Sequence, residues 1–329
     1  MTMKTLPCVL AVLVFSFAPM STEKMSANDL VRVAEFYRLA DKIQDQVWPG
    51  WSATPAPMLL ITPTSEFLTH HPNPPKEFSD AGDGFLARPR QFPVQLEATF
   101  PAFDATSVIV VGAPETTASR ASTRWLFTLM HEHFHQLQDS QPDFYKMIEA
   151  LGLSHGDNTG MWMLNFPFPY EKPDAAKGFA TLRHLLLAAL AEKDEAKFQP
   201  LAQKYATQRK TYFSNFTAEE RKYFEFELWK EGVARYTQVK CAEAAANYQP
   251  APQFAALPDY ESFATNASEA RAATLSELKQ INLAESKRTV VYSFGAAEGF
   301  LLDRIHPGWQ KQYFQHPFSL SVYFELDGK

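Results

Sequence analysis

Trp125-Leu126-Phe127-Thr128-Leu129-Met130-His131-Glu132-His133-Phe134-His135-Gln136-Leu137-Gln138 is the stretch on which the reading of this chain turns. Leu126, Leu129 and Met130 supply a face for burial, and the segment belongs to a helix expected from about Ser119 to Asp139. On such a helix, positions four apart are offset by only about 40° and lie one turn apart. His131 and His135 therefore project from one face, close enough for both imidazoles to bind one tetrahedral ion, the arrangement zinc asks of neutral nitrogen ligands. Glu132 lies beside that face, placed to take a proton from a metal-bound water without itself being a ligand. His133 points away from the pair, toward a supporting or packing role.

Working upstream, Ser107-Val108-Ile109-Val110-Val111-Gly112 is β-branched, ends at a glycine and is expected to be a strand. Residues 28–47 carry Leu30, Val33, Ala34, Tyr37 and Ile43 near one face and are expected to form an amphipathic helix. Met58-Leu59-Leu60-Ile61, fenced by prolines, is expected to be a short buried strand. Between Thr62 and Pro93 prolines, glycines and polar residues dominate, which predicts a long loop region, with a hairpin as an option within it. His70-His71 and Asp80-Ala81-Gly82-Asp83-Gly84 in that loop lack the spacing of a complete metal site and read as solvated turns.

Downstream, Ser154 to Pro173 is irregular and rich in aromatics and prolines. Its stretch from Met161 to Tyr170 is expected either to line the substrate cleft or to form a structural loop anchored by its rings. Helices are expected at 180–192, 197–213, 217–246, 259–282 and 290–305, the third opened by a capping box at Thr217-Ala218-Glu219-Glu220. The fold class is thus α+β and mostly helical. An α/β part over 28–150 contains a small sheet and the histidine helix, and a helical part follows over 151–329.

With this helix on the page, the chain resembles the zincin metallopeptidases, whose His-Glu-x-x-His helix lies beneath a small sheet. The third histidine of the extended His-x-x-Gly-x-x-His pattern is missing, since 136–141 read Gln-Leu-Gln-Asp-Ser-Gln, which excludes the metzincin branch. The gluzincin branch takes a glutamate from a later helix in a Glu-Gly-x-Ala-x-Tyr context. Glu231-Gly232-Val233-Ala234-Arg235-Tyr236 matches it, so the resemblance implies Glu231 as third ligand. Glu227, one turn earlier, is the alternative ligand; otherwise it orients a ligand imidazole. The Gly-x-Met-Glu-Asn motif of the gluzincin aminopeptidases is absent, so no aminopeptidase activity is implied.

The resemblance further implies one Zn2+ per chain and metal-assisted hydrolysis of a peptide or protein substrate, with Glu132 as base and a donor for the developing oxyanion. Tyr292 is the first candidate donor because Gly295-Ala296-Ala297 after it permit close helix approach; Tyr236 and His155 are the others. Strand Ser107–Val111 is expected to present its edge to an extended peptide. Arg120 and Arg124 are read as a solvated pair one turn apart, with binding of a substrate carboxylate as the other role. Other readings of the same motif are a non-catalytic zinc-binding protein and a zinc hydrolase of non-peptide amides.

Composition sets the outer bounds. The chain has 329 residues, of which 46% are hydrophobic and 21% charged, a globular balance. Net charge is −6 and no basic run tracks phosphates, which argues against nucleic acid as a partner. Lys4 precedes an apolar run from Leu6 to Ala18, about 13 residues, where a membrane span needs roughly 20. Small residues follow, so residues 1–27 are expected to be a signal peptide cut between Ala18 and Ala27, giving a secreted or periplasmic protein with no membrane span. Removal of Cys8 with the signal leaves Cys241 alone, too few thiols for an intramolecular disulfide and expected to be buried.

Overall fold

In the computed structural model, which describes residues 24–326, six strands make one mixed sheet in the order β3-β4-β2-β1-β6-β5. They are β1 (Met58–Ile61), β2 (Ser65–Thr69), β3 (Ser79–Gly82), β4 (Phe85–Pro89), β5 (Glu97–Pro101) and β6 (Ser107–Gly112). β1 and β6 run parallel, with Met58 opposite Ile109 and Ile61 opposite Gly112; every other pairing is antiparallel. β1 and the Val108–Val111 stretch of β6 are unbroken apolar runs because both sheet faces are covered there. Met58, Leu60, Ile109 and Val111 turn to the helices. Leu59, Ile61, Val108 and Val110 turn to the opposite face, where Phe78 and the half-buried Phe92, Phe100 and Phe103 cap them.

Two expectations change here. The region from Thr62 to Pro93 holds three strands, and Gly82-Asp83-Gly84 is the turn between β3 and β4, all three residues at positive φ. Ser107–Gly112 is not an edge: β6 lies between β1 and β5, and the outer strand on that side is β5.

Twelve α-helices are found among the described residues. They are α1 (Ala27–Val47), α2 (Ser122–Asp139), α3 (Phe144–Ala150), α4 (Trp162–Asn165), α5 (Pro173–Ala191), α6 (Glu195–Ser214), α7 (Ala218–Glu227), α8 (Val233–Ala244), α9 (Pro252–Ala255), α10 (Phe263–Gln280), α11 (Leu283–Ser286) and α12 (Val290–Ile305). The fold is α+β and mostly helical. Helix α2 starts at Ser122, three residues later than expected, because Arg120 adopts a left-handed φ of 58° and Ala121 is extended. Helix α5 starts earlier than expected, since Pro173 occupies its first turn, where a missing N–H costs nothing. The capping box at Thr217 forms as expected, with Thr217 and Glu220 exchanging hydrogen bonds.

That helix does not run unbroken to Ala244. Leu228–Gly232 is a π turn joining α7 to α8, the one-turn bulge that recurs at functional sites. Helix α12 crosses at this turn because two glycines face each other. A Cβ on Gly232 would lie 2.7 Å from the Gly295 Cα, and one on Gly295 would lie 2.6 Å from the Gly232 Cα. The core between sheet and helices draws on both parts of the chain: the Trp48 ring lies 4.9 Å from Phe134 and 5.1 Å from Tyr313, which stacks on Trp229 at 4.5 Å. Cys241 is buried, as expected. Among the described residues no helix is long and apolar enough to cross a membrane. The signal sequence expected at 1–27 lies almost wholly outside the described residues.

Candidate metal centre

Helix α2 is buried along most of its length, with Trp125, Leu126, Leu129, Met130 and Phe134 fully enclosed. Burial on that scale fixes the rotation of the helix and aims His131 and His135 at the π turn. There Glu231 meets them. Its Oε2 lies 3.3 Å from His135 Nε2 and 3.7 Å from His131 Nε2, and the two Nε2 atoms are 3.2 Å apart. A tetrahedral ion with bonds of roughly 2.0–2.1 Å keeps its donors about 3.3–3.4 Å apart, so these three atoms already stand near the edges of such a tetrahedron. All three residues are buried.

Hydrogen bonding fixes one tautomer. Gln138 uses its amide Nε2 toward the carbonyls of Trp229 (3.3 Å) and Lys230 (3.2 Å) and the hydroxyl of Tyr313 (2.7 Å). Its Oε1 is therefore the acceptor 2.7 Å from His135 Nδ1, which must carry the hydrogen. That leaves the His135 Nε2 lone pair facing His131 Nε2 and the Glu231 carboxylate. Three acceptors converging in a buried space repel unless a cation or a proton lies among them. The donor set fits zinc: two imidazoles and one carboxylate, the number of protein ligands that leaves the fourth tetrahedral position to water.

The pKa directions express the same convergence. Burial and the Lys230 ammonium pull His135 down, but Glu231 outweighs them and holds it above its ordinary value. Burial pulls His131 below its ordinary value. Burial alone would raise Glu231; His135, Lys230 and the imidazole hydrogen bonds instead keep it well below the usual carboxylate range.

Glu132 is buried beside the pair and accepts a hydrogen bond from Thr99 Oγ1 on β5 at 2.8 Å. His133 lies on the other side of the helix. It stacks on Trp51 at 5.0 Å and sits between Gln136 Oε1 (2.9 Å) and Gln44 Oε1 (3.1 Å), and burial pushes its pKa down to about 4. His133 is thus a packing residue.

Tyr292 stands at the site, its ring centroid 6.1 Å from that of His131 and its hydroxyl accepting from Arg288 Nη1 at 3.2 Å. Its two rivals do not. Tyr236 is buried elsewhere against Asp303 (2.6 Å) and Gln310 (2.7 Å), and His155 pairs with Glu219 at the surface. Glu227 does not orient an imidazole; Gln138 does that for His135, while Glu227 faces Arg288 from a fully buried position. Arg120 lies outside α2, donating to the Glu115 carbonyl, and Arg124 pairs with Glu261, so they form no carboxylate clamp.

Sequence reasoning missed Gln138, Thr99 and Arg288. The i+3 spacing of Gln138 from His135 is a readable signal for the first; nothing local marks the other two. The stretch from Met161 to Tyr170 is a loop anchored by its rings, and its Leu164–Tyr170 part borders a cleft. Phe166 stacks on Tyr223 at 4.4 Å, and the segment lines a cleft of about 690 Å³ whose opposite wall is Lys287 and Arg288. No protein-family model matches this sequence, and no curated protein or solved structure matches it.

Proposed function

We propose that this chain is a zinc-dependent hydrolase of the gluzincin type, acting on the amide bond of a peptide or protein. The observation that supports it most is the convergence of His131, His135 and Glu231, whose ligand atoms all lie within 4.8 Å of one another inside the fold. These three residues would hold one Zn2+, which lowers the pKa of a water bound to it toward about 7. Glu132 takes the proton from the attacking water and passes it to the leaving nitrogen. Thr99 holds that carboxylate in place through its hydroxyl. Tyr292 accepts from Arg288, so its own hydrogen is free to point at the oxyanion.

Substrate access follows the geometry. Strand β5, which carries Thr99, is the outer strand of the sheet, and an extended peptide adding to it would lie next to Glu132. The cleft beside Arg288 offers a second wall of apolar rings. Export through the sequence at 1–27 belongs to the same proposal, and a mature N-terminus between residues 19 and 28 is the expected product.

Two variants test it. Metal analysis should find about one zinc per chain in the wild type and little in His135→Ala. Glu132→Gln should keep the zinc and lose peptide hydrolysis by at least about 10²-fold. Equal, near-zero metal in wild type and His135→Ala ends the proposal; zinc without hydrolysis in the wild type leaves a non-catalytic zinc protein.

A further inference from the structure

Glu231 presents only one of its two oxygens to the histidines, and the reason lies outside the histidine helix. Arg288 precedes α12, in the short turn Lys287–Thr289. Its Nη2 lies 3.1 Å from Glu231 Oε1, its Nε lies 2.8 Å from Glu227 Oε2, and its Nη1 donates to the Tyr292 hydroxyl at 3.2 Å. Lys230 Nζ approaches the same Glu231 oxygen at 3.5 Å. Oε1 is thus drawn toward two cations while Oε2 faces the imidazoles. The backbone around Arg288 is shaped to this end. Lys287 sits at φ 48°, ψ −129°, a conformation that L residues rarely adopt and that persists only where its surroundings enforce it.

We infer that Arg288 is a positioning residue that restricts Glu231 to a single ligating oxygen. The inference rests on the metal reading given above. A carboxylate beside a divalent ion can offer both oxygens, and only a competing partner of comparable strength holds one back. A guanidinium suits this task because its planar fork reaches two carboxylates at once with little loss of freedom. Glu227 is the second carboxylate it reaches, 2.8 Å from its Nε. This carboxylate is fully buried, lies off the line of any hydrogen bond, and has its pKa pushed up by burial despite Arg288. The guanidinium is thus held between Glu227 and Glu231, and Glu227 needs no contact with the imidazoles to matter.

Cobalt(II) titrated into the metal-free protein reports the number of donors through its visible d–d band. The wild type is expected to show the intense band of a four-donor site. Arg288→Gln releases Glu231 Oε1 as an additional donor, and the molar absorptivity should fall at least about twofold with a shift of the band, as expected when a tetrahedral site expands. Arg288→Lys keeps a cation opposite Glu227, which preserves folding, but a single ammonium cannot bridge both carboxylates, so the band should weaken there too. A packing role for Arg288 would leave the spectrum of bound cobalt unchanged. Wild-type spectra in both variants overturn this inference alone. Absence of any band in the wild type overturns the metal reading, and this inference with it.

Discussion

Replacing Gly295 with alanine puts one methyl group where α12 meets the π turn, and the consequence follows from the geometry. The new Cβ would lie 2.6 Å from the Gly232 Cα, 3.3 Å from the Gly232 carbonyl carbon and 3.3 Å from Leu228 Cδ2. Carbon atoms at rest stand about 3.5–4.0 Å apart, so relief requires a separation of about 1 Å. The closest atom belongs to backbone, and no side chain can rotate out of the way. Overpacking of this kind costs typically about 1–3 kcal/mol. In an open helix the same change gains about 0.8–1.0 kcal/mol of helix propensity, which offsets part of the cost. The net expectation is a loss of up to about 2 kcal/mol, read as a lower urea midpoint in the presence of chelator. Zinc affinity, measured by competition with a chelator, should fall as well, because parting the helices draws Arg288 away from Glu231. A midpoint raised by the full helix-propensity gain, with zinc affinity unchanged, would show that the two backbones do not touch, and the account of how α12 reaches the site would be wrong.

Gln138→Leu keeps the bulk of the side chain but removes the acceptor for His135 Nδ1 and the donor to the Trp229 and Lys230 carbonyls. Zinc affinity should drop by about 10–100-fold, and an affinity within twofold of wild type would contradict the tautomer assignment. The buried Arg209 pairs with Glu225 at 2.7 Å and Glu298 at 2.6 Å. Burial would raise Glu225, but Arg209 outweighs it and holds the carboxyl below its ordinary value. The unfolded chain then binds more protons, so the stability Glu225 supplies is complete above its unfolded pKa of about 4.3 and is lost as pH falls through the lower folded value. Burial raises Glu298 instead, which contributes with the opposite sign; the difference between wild type and Glu225→Gln isolates the first term. Wild-type urea midpoints should therefore decline more steeply than those of Glu225→Gln between pH 5 and 3, and parallel curves would refute the pairing.

The sequence was informative where one local pattern sufficed. The His131–His135 spacing, the burial of α2, the capping box at Thr217 and the apolar runs of β1 and β6 follow from periodicity within a few residues. Strand β2, Ser65-Glu66-Phe67-Leu68-Thr69, was hidden because all five residues are buried and no alternation survives. Glu66 is a charge inside that strand only because Arg88, 2.8 Å away on β4, and the amides of Gln91 and Phe92 satisfy it. Strand β5 was hidden for the opposite reason, being half exposed and short. At the site, Glu231 was found through a motif, whereas Arg288 and Thr99 arrive from elements 57 and 33 residues away from the groups they serve, Glu231 and Glu132. Neither has a local signature, since each is chosen by how helices and sheet dock. The misreading of β6 as an edge has the same origin: pairing order in a sheet is a property of the whole chain.

The π turn at Leu228–Gly232 interrupts an otherwise continuous helical segment, and its freed carbonyls are answered from far away. Trp229 O accepts from the Tyr313 hydroxyl at 2.5 Å and from Gln138, partners 84 and 91 residues distant in sequence. Before those partners arrive, an uninterrupted α-helix serves the segment better, because it satisfies every one of those carbonyls internally. In such a helix Glu231 would be turned away from its present direction. The placement of Glu231 thus depends on docked partners: the histidine pair needs only α2, whereas the π turn that aims the carboxylate leans on Gln138 of α2 and on Tyr313 of the C-terminal segment. Under the proposed metal reading, a partly unfolded chain would offer two histidines and no third donor, and would hold a divalent ion only weakly.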